Sequence, residues 1–212
     1  VNGSGERPRV IIVRTGTANL ASVAAACERV GAEPVVTDDP QAVVEANAAI
    51  LPGVGAFGAA MTQLRARGLD EAIRERCRVG RPLLAICLGM QLLCESSDES
   101  PGVAGLGVVQ ARVGRFGRGA RVPQMGWNRV LPASGRGTLR PEWMYFANSY
   151  RIERAPAGWD VATTEHGGAF VSAMERGAVL ACQFHPELSG RGGLALVERW
   201  LSMASASEVA AC

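Results

Sequence analysis

Three side chains far apart in the sequence could do nucleophilic chemistry together: Cys87, His185 and Glu187. Cys87 ends the apolar run of residues 82–87 (PLLAIC) and opens residues 88–95 (LGMQLLCE), so it falls where a buried strand turns into a helix. A nucleophile on such a turn is pushed out of the sheet, and the dipole at a helix N-terminus favours a thiolate over a thiol. Gly89 lets the turn close and leaves the N–H of Leu88 available to a developing oxyanion. His185 and Glu187 are two residues apart in C-Q-F-H-P-E. In an extended segment residues two apart share a side, and Pro186 stiffens the link. A carboxylate beside an imidazole fixes its tautomer and stabilises the imidazolium, which beside Cys87 would favour the thiolate. Nucleophile, base and orienting group make up the logic of covalent catalysis.

A glycine-rich loop, residues 51–58 (LPGVGAFG), follows another strand and falls on the same sheet edge. Its glycines let the backbone approach a ligand and present N–H groups, so it could supply a second oxyanion donor. It is not a Walker loop, because no G-K-[ST] follows. Taken singly, each piece has a plainer reading: a core cysteine, a surface turn at H-P-E, a loop. The three in this order shift the balance towards catalysis.

The elements that must position these groups are legible in the apolar pattern. Residues 9–13 (RVIIV), 34–37 and 48–51 read as strands, 19–30 as a helix stopped by Gly31, and 61–79 as a second helix. Strand and helix alternate, which predicts an α/β fold with a mixed, mostly parallel sheet and helices on both faces. From residue 102 to 150 glycines are frequent and long helical patterns absent, so a smaller β-rich part is expected in the second half. Residues 170–173 and 179–184 read as later strands and 193–203 as a closing amphipathic helix. The 212 residues suit a single domain, with 1–8 and 204–212 as frayed tails.

Composition excludes several classes. Hydrophobic residues are 48%, charged residues 20% and the net charge is +2, too near neutral to argue for nucleic acid or an anionic membrane. No apolar stretch approaches the roughly 18 residues a membrane span needs, and residues 1–9 lack a secretory signal's apolar run. The six cysteines are irregularly spaced with no C-x-x-C pair, and read as reduced thiols of a cytoplasmic protein. With two histidines, neither beside a cysteine pair, no metal site is expected, and no cofactor is indicated. His166 reads as a turn residue. Arg112, Arg115, Arg118 and Arg121 recur among glycines without an aromatic ladder, as in a solvated loop.

Residues 86–91 (ICLGMQ) with 184–187 (FHPE) resemble the class I glutamine amidotransferases. A narrower resemblance, over nearly the whole chain, is to the glutaminase subunits of imidazole glycerol phosphate synthase, carried by Asn19-Leu20, residues 51–55, residues 125–128 (MGWN), Tyr145-Phe146 to Ser149-Tyr150, and Ser189-Gly190. This resemblance implies a flavodoxin-like glutaminase fold and hydrolysis of glutamine to glutamate and ammonia through a cysteine thioester. It implies a (β/α)₈-barrel cyclase partner that takes the ammonia and forms imidazole glycerol phosphate and an aminoimidazole carboxamide ribotide in histidine biosynthesis. By position, Cys87 would be the nucleophile, His185 the base and Glu187 the orienting residue. Val54 and Leu88 would supply oxyanion amides, and Gly53, Gln91, Glu99, Ser149 and Tyr150 would bind glutamine. Arg14, Ala85, Gln124, Asn148 and Leu188 depart from the family pattern; Asn148 and Leu188 would lie near the mouth facing the cyclase. A paralogue feeding ammonia to another synthase, such as one amidating a sugar, and a silent glutaminase-like binding subunit are the alternatives.

Overall fold

A computed structural model describes residues 7–16, 19–135 and 137–209, with side chains to 204. Strand and helix alternate through the first half: β1 (Arg9–Val13), α1 (Leu20–Arg29), β2 (Glu33–Thr37), α2 (Pro40–Glu45), β3 (Ala48–Leu51), α3 (Phe57–Ala66), α4 (Leu69–Arg78), β4 (Leu83–Ile86) and α5 (Leu88–Leu92). The boundaries follow local chemistry. Asn19 caps α1 by accepting the Ser22 N–H, and Asp39 caps α2 through Gln41 with Pro40 at the first turn. Gly31, at φ 82°, turns the chain out of α1.

Strands dominate the second half: β5 (Cys94–Ser97), β6 (Val109–Arg115), β7 (Gln124–Pro132), β8 (Glu142–Asn148), β9 (Tyr150–Ile152), β10 (Asp160–Glu165), β11 (Ala169–Arg176) and β12 (Val179–Cys182). A 3-10 turn (Pro186–Leu188) and α6 (Gly190–Val209) follow. The sheet runs β2-β1-β3-β4-β12-β11-β10-β7-β8, with β5, β6 and β9 branching from it. From β2 to β12 the pairing is parallel, in the 2-1-3-4-5 order of flavodoxin-like sheets. Beyond β12 it is antiparallel.

Alternate residues of β1 face two separate cores. Ile11 and Val13 pack with Val43, Leu64, Ile73 and Met90 of α2 to α5. Val10 and Ile12 pack with Val23 and Cys27 of α1 and with Leu196 and Trp200 of α6. Both faces of the sheet are therefore covered, as continuous burial of β3 and β4 requires.

Several expected boundaries move. The helix expected over 61–79 is two, broken at Gly68, which adopts φ 67° and caps α4. The helix expected over 88–95 ends at Leu92, because Cys94 pairs with Val109 as the start of β5. Helix α2 and strand β10 have no counterpart in the sequence reading. Helix α6 starts at Gly190 and continues to Val209, beyond the expected end at 203. Of the tails expected to fray, residues 1–6 and 210–212 lie outside the described residues. No helix among the described residues is long and apolar enough to cross a membrane.

Candidate active site

The site grows from the carboxyl ends of three adjacent strands, β3, β4 and β12. All four residues of β4 are buried, and the chain leaves it through Cys87 at φ 55°, ψ −110°. Among the described residues this is the only non-glycine with positive φ. Such backbone costs on the order of 1–3 kcal/mol and persists only where the surroundings enforce it. Here the Cys87 N–H donates to Cys182 O at 2.7 Å, and the Cys87 carbonyl accepts from Gln91 at 3.3 Å. Close packing completes the turn: a Cβ on Gly89 would lie 2.0 Å from the Leu51 carbonyl oxygen. Because α5 spans only Leu88–Leu92, few peptide dipoles align behind the sulfur, and its charge must be met mainly by neighbouring side chains.

Parallel pairing of Cys182 with Ile86 brings the segment after β12 beside this elbow. The His185 Nδ1–H donates to Glu187 Oε1 at 2.8 Å, and both side chains are buried. Burial alone would lower the His185 pKa, but hydrogen bonds to Cys87 and Glu187 outweigh it and raise the ring to about 10. The ring thus keeps its proton at neutral pH. Its backbone is clamped to β8: the His185 N–H donates to Tyr145 O at 2.9 Å, and Ser189 Oγ donates to His185 O at 2.6 Å while accepting the Tyr145 N–H at 2.9 Å.

Cys87 and His185 open onto a cavity of about 280 Å³ that Val54, Leu88, Gln91, Glu99, Ser149 and Tyr150 also line. That is near the lower end, about 300 Å³, for small-molecule sites, and suits an amino acid. A larger cavity of about 520 Å³ beside Arg9, Asp39 and Glu45 is lined by no cysteine, serine, threonine or histidine. Glu99 has one oxygen committed to the N-terminus of α3, accepting the Phe57 N–H at 2.7 Å. Gln91 spends its amide N–H groups on Gln183 Oε1 at 2.8 Å and Tyr150 O at 3.4 Å.

The candidate oxyanion groups are present but not both aimed at the cavity. The Leu88 N–H donates to Gly53 O at 3.3 Å. In a trans peptide C=O and N–H point oppositely, so the Val54 N–H points away from Leu88. Gly53 lies against the elbow, where a Cβ would be 2.9 Å from Leu88 Cβ and 3.0 Å from Gly89 N.

Two residues of the site escaped the sequence reading: Gln183, whose Nε2 donates to Cys87 Sγ at 3.6 Å, and Ser189 as the clamp described above. Gln183 was within reach of the two-residue alternation that paired His185 with Glu187. Of the departures, Gln124 and Asn148 are cross-strand partners on β7 and β8, both buried, and Leu188 is exposed on the 3-10 turn. His166 Nε2–H donates to Arg121 O at 2.7 Å, at the β10–β11 turn. Arg112 pairs with Asp98 on the surface. Among the described residues no cluster of His, Cys, Asp or Glu could hold a metal ion.

Comparison with known proteins points in one direction. The family model for glutamine amidotransferase class-I matches residues 16–201. The chain is 45% identical to the imidazole glycerol phosphate synthase subunit HisH of Symbiobacterium thermophilum, covering 91% of this chain and 92% of that one. It is 41% identical to the HisH subunit of Methanothermobacter thermautotrophicus, over 92% of this chain and 98% of that one. The fold matches a crystal structure of a glutamine amidotransferase with TM-score 0.75 at 23% identity, over 92% and 98% of the two chains. It also matches PurLQS from Thermotoga maritima with TM-score 0.72 at 17% identity, again over 92% and 98%.

Proposed function

This chain belongs to the class-I glutamine amidotransferase family, and on that premise we propose that it is the glutaminase subunit of an imidazole glycerol phosphate synthase in histidine biosynthesis, with Cys87, His185 and Glu187 as its catalytic residues. The observation that carries the reading is the strained Cys87 lining an amino-acid-sized cavity together with His185, whose ring is hydrogen-bonded to Glu187.

The Cys87 thiolate attacks the side-chain carbonyl carbon of glutamine. The C=O electron pair moves to oxygen, and the oxyanion is received by the amides of Leu88 and Val54. Collapse expels the amine, which takes the proton of His185 and leaves as ammonia, so a thioester remains. Water, deprotonated by His185, attacks the thioester, and glutamate and the thiolate are released. Glu187 keeps the imidazolium oriented throughout. At the other end of the substrate, Gln91 has only its carbonyl oxygen uncommitted, which with Glu99 suits the α-ammonium group. Ser149, Tyr150 and the Gly53 loop lie where the rest of the α-amino-acid head would rest.

The partner is a cyclase of (β/α)₈-barrel type that consumes the ammonia. An exposed apolar face supports a docking surface beside the cavity. Met125, Trp127 and Leu131 alternate outward along β7, and Trp143 faces out from β8. Trp127 reaches to within 3.9 Å of a Cβ position at Gly190, just after the turn that bears Glu187. Trp127 is 55% exposed and Met125 69%, unusual for such side chains without a partner. A cytoplasmic location accords with the free, buried thiols of Cys27, Cys77, Cys94 and Cys182.

The test is glutamate release with purified cyclase present. Cys87→Ala should abolish glutamine-dependent synthesis while supplied ammonia still drives the cyclase. Glutamine-dependent turnover in Cys87→Ala would refute the assignment.

A further inference from the structure

The mechanism above leaves one polar side chain at the centre of the site without a task. Gln183 is completely buried, one residue past β12, with its backbone N–H bound to Ser172 O at 2.8 Å. Its side-chain amide bridges two groups: Nε2 donates to Cys87 Sγ at 3.6 Å, and Oε1 accepts from Gln91 Nε2 at 2.8 Å. If the site needed only volume, methionine would fill the same space without burying an amide.

The polarity of the chain of bonds is set at its far end. The Tyr150 carbonyl accepts from Gln91 Nε2 at 3.4 Å, so Gln91 presents N–H to Gln183. Gln183 must then turn its oxygen to Gln91 and its N–H to the sulfur. The opposite orientation would set two N–H groups against each other at Gln91 and a carbonyl oxygen against the sulfur. An N–H aimed at sulfur binds the thiolate more strongly than the thiol, because hydrogen bonds to an ionised acceptor are the stronger ones.

We infer that Gln183 is a positioning residue: its amide holds the Cys87 sulfur as the thiolate facing the cavity, and Gln91 fixes the polarity of that amide through the same side chain that grips the substrate. The inference rests on Cys87 being the nucleophile and Gln91 a substrate contact. The titratable groups around the sulfur are His185 and Glu187 from the turn after β12, Cys182 on β12, and Glu99 and Tyr150 across the cavity. His185 supplies the positive charge on one side, so loss of Gln183 weakens the thiolate without abolishing it.

The experiment measures iodoacetamide alkylation of the Cys87 peptide by mass spectrometry across pH, together with kcat and KM for glutamine in the complex with cyclase. Gln183→Met should move the alkylation midpoint up by about one pH unit and lower kcat about tenfold, with KM changed less than about twofold. Gln91→Met, on the cavity wall, should raise the midpoint and KM together, and covers the case in which Gln183→Met does not fold. An unchanged midpoint in Gln91→Met, or an unchanged midpoint and kcat in folded Gln183→Met, overturns the inference. Cys87→Ala separates the two readings: if it is inactive while Gln183→Met behaves as wild type, only the role of Gln183 falls. If Cys87→Ala still turns over glutamine, the glutaminase assignment to Cys87 falls first.

Discussion

If the proposed cyclase partner brings the proposed oxyanion donors to bear, its docking should raise glutamine turnover by about 10²–10³ for each, about 2.7–4 kcal/mol apiece. In the undocked chain the Leu88 N–H is engaged by the Gly53 carbonyl at 3.3 Å, and the Val54 N–H of that same peptide is directed away. Turning the Gly53–Val54 peptide over would release the first donor and aim the second in one movement. The resting bond is a neutral amide pair with a net value of about 0.5–1.5 kcal/mol, a small barrier to set against either donor. Glycines on both sides of Val54 leave room for the rotation, and Gly55 already sits at φ 92°. The assay is initial-rate glutamate release at saturating glutamine, coupled to glutamate dehydrogenase and titrated with cyclase. The isolated chain should be slower by at least about 10². An isolated chain within about tenfold of the complex would show that the resting peptide already serves catalysis, and the reasoning would fail.

Other perturbations reach different parts of the site. Since the folded His185 pKa is about 10 against 6.5 for a free histidine, its stabilising contribution is complete below pH 6.5 and is lost as pH rises through 10. Denaturant titrations at pH 6 and pH 10.5 should differ by up to a few kcal/mol, with a smaller difference in Glu187→Gln. Ser189→Ala leaves the Tyr145 N–H and His185 C=O without their shared hydroxyl, and should cost about 1–3 kcal/mol of stability in the same titration and lower kcat more than it raises KM. Gly89→Ala places a methyl 2.0 Å from the Leu51 carbonyl oxygen, so calorimetry should register a loss of about 1–3 kcal/mol or more. Trp127→Ala should leave the melting temperature nearly unchanged yet weaken cyclase binding about thirtyfold, roughly 2 kcal/mol, by titration calorimetry.

Where side-chain type dictates structure, the sequence was informative. The buried run ending at Cys87 placed that residue at a strand end, because periodicity follows from burial; His185 and Glu187 do meet, but through the 3-10 turn Pro186–Leu188 that carries Glu187 and not through the extended alternation the spacing suggested. Helix α4 was hidden, since Arg67-Gly68 interrupts an otherwise continuous helical pattern with one residue whose positive φ the pattern does not encode. Strand β5 was hidden for another reason: Cys94 is strand only because Val109, distant in the chain, pairs with it. The Gly53–Val54 orientation lies further out of reach. Neither side chain selects it; a single tertiary hydrogen bond to Leu88 does.

The position of β12 has a consequence for how the enzyme comes into being. It is the last strand of the described chain, yet it lies in the middle of the sheet, between β4 and β11. Emerging from a ribosome at about 5–20 residues per second, the chain delivers Cys87 long before His185 and Glu187. Until β12 is inserted, the parallel and antiparallel portions have no strand between them, and Cys87 has neither His185 nor Glu187 near it. On the proposed assignment, the order of the chain alone would keep the reaction silent during synthesis, and a prematurely terminated product would carry an unpaired β4 edge and an unactivated cysteine. Completion of the sheet and arming of the proposed nucleophile would then be one event.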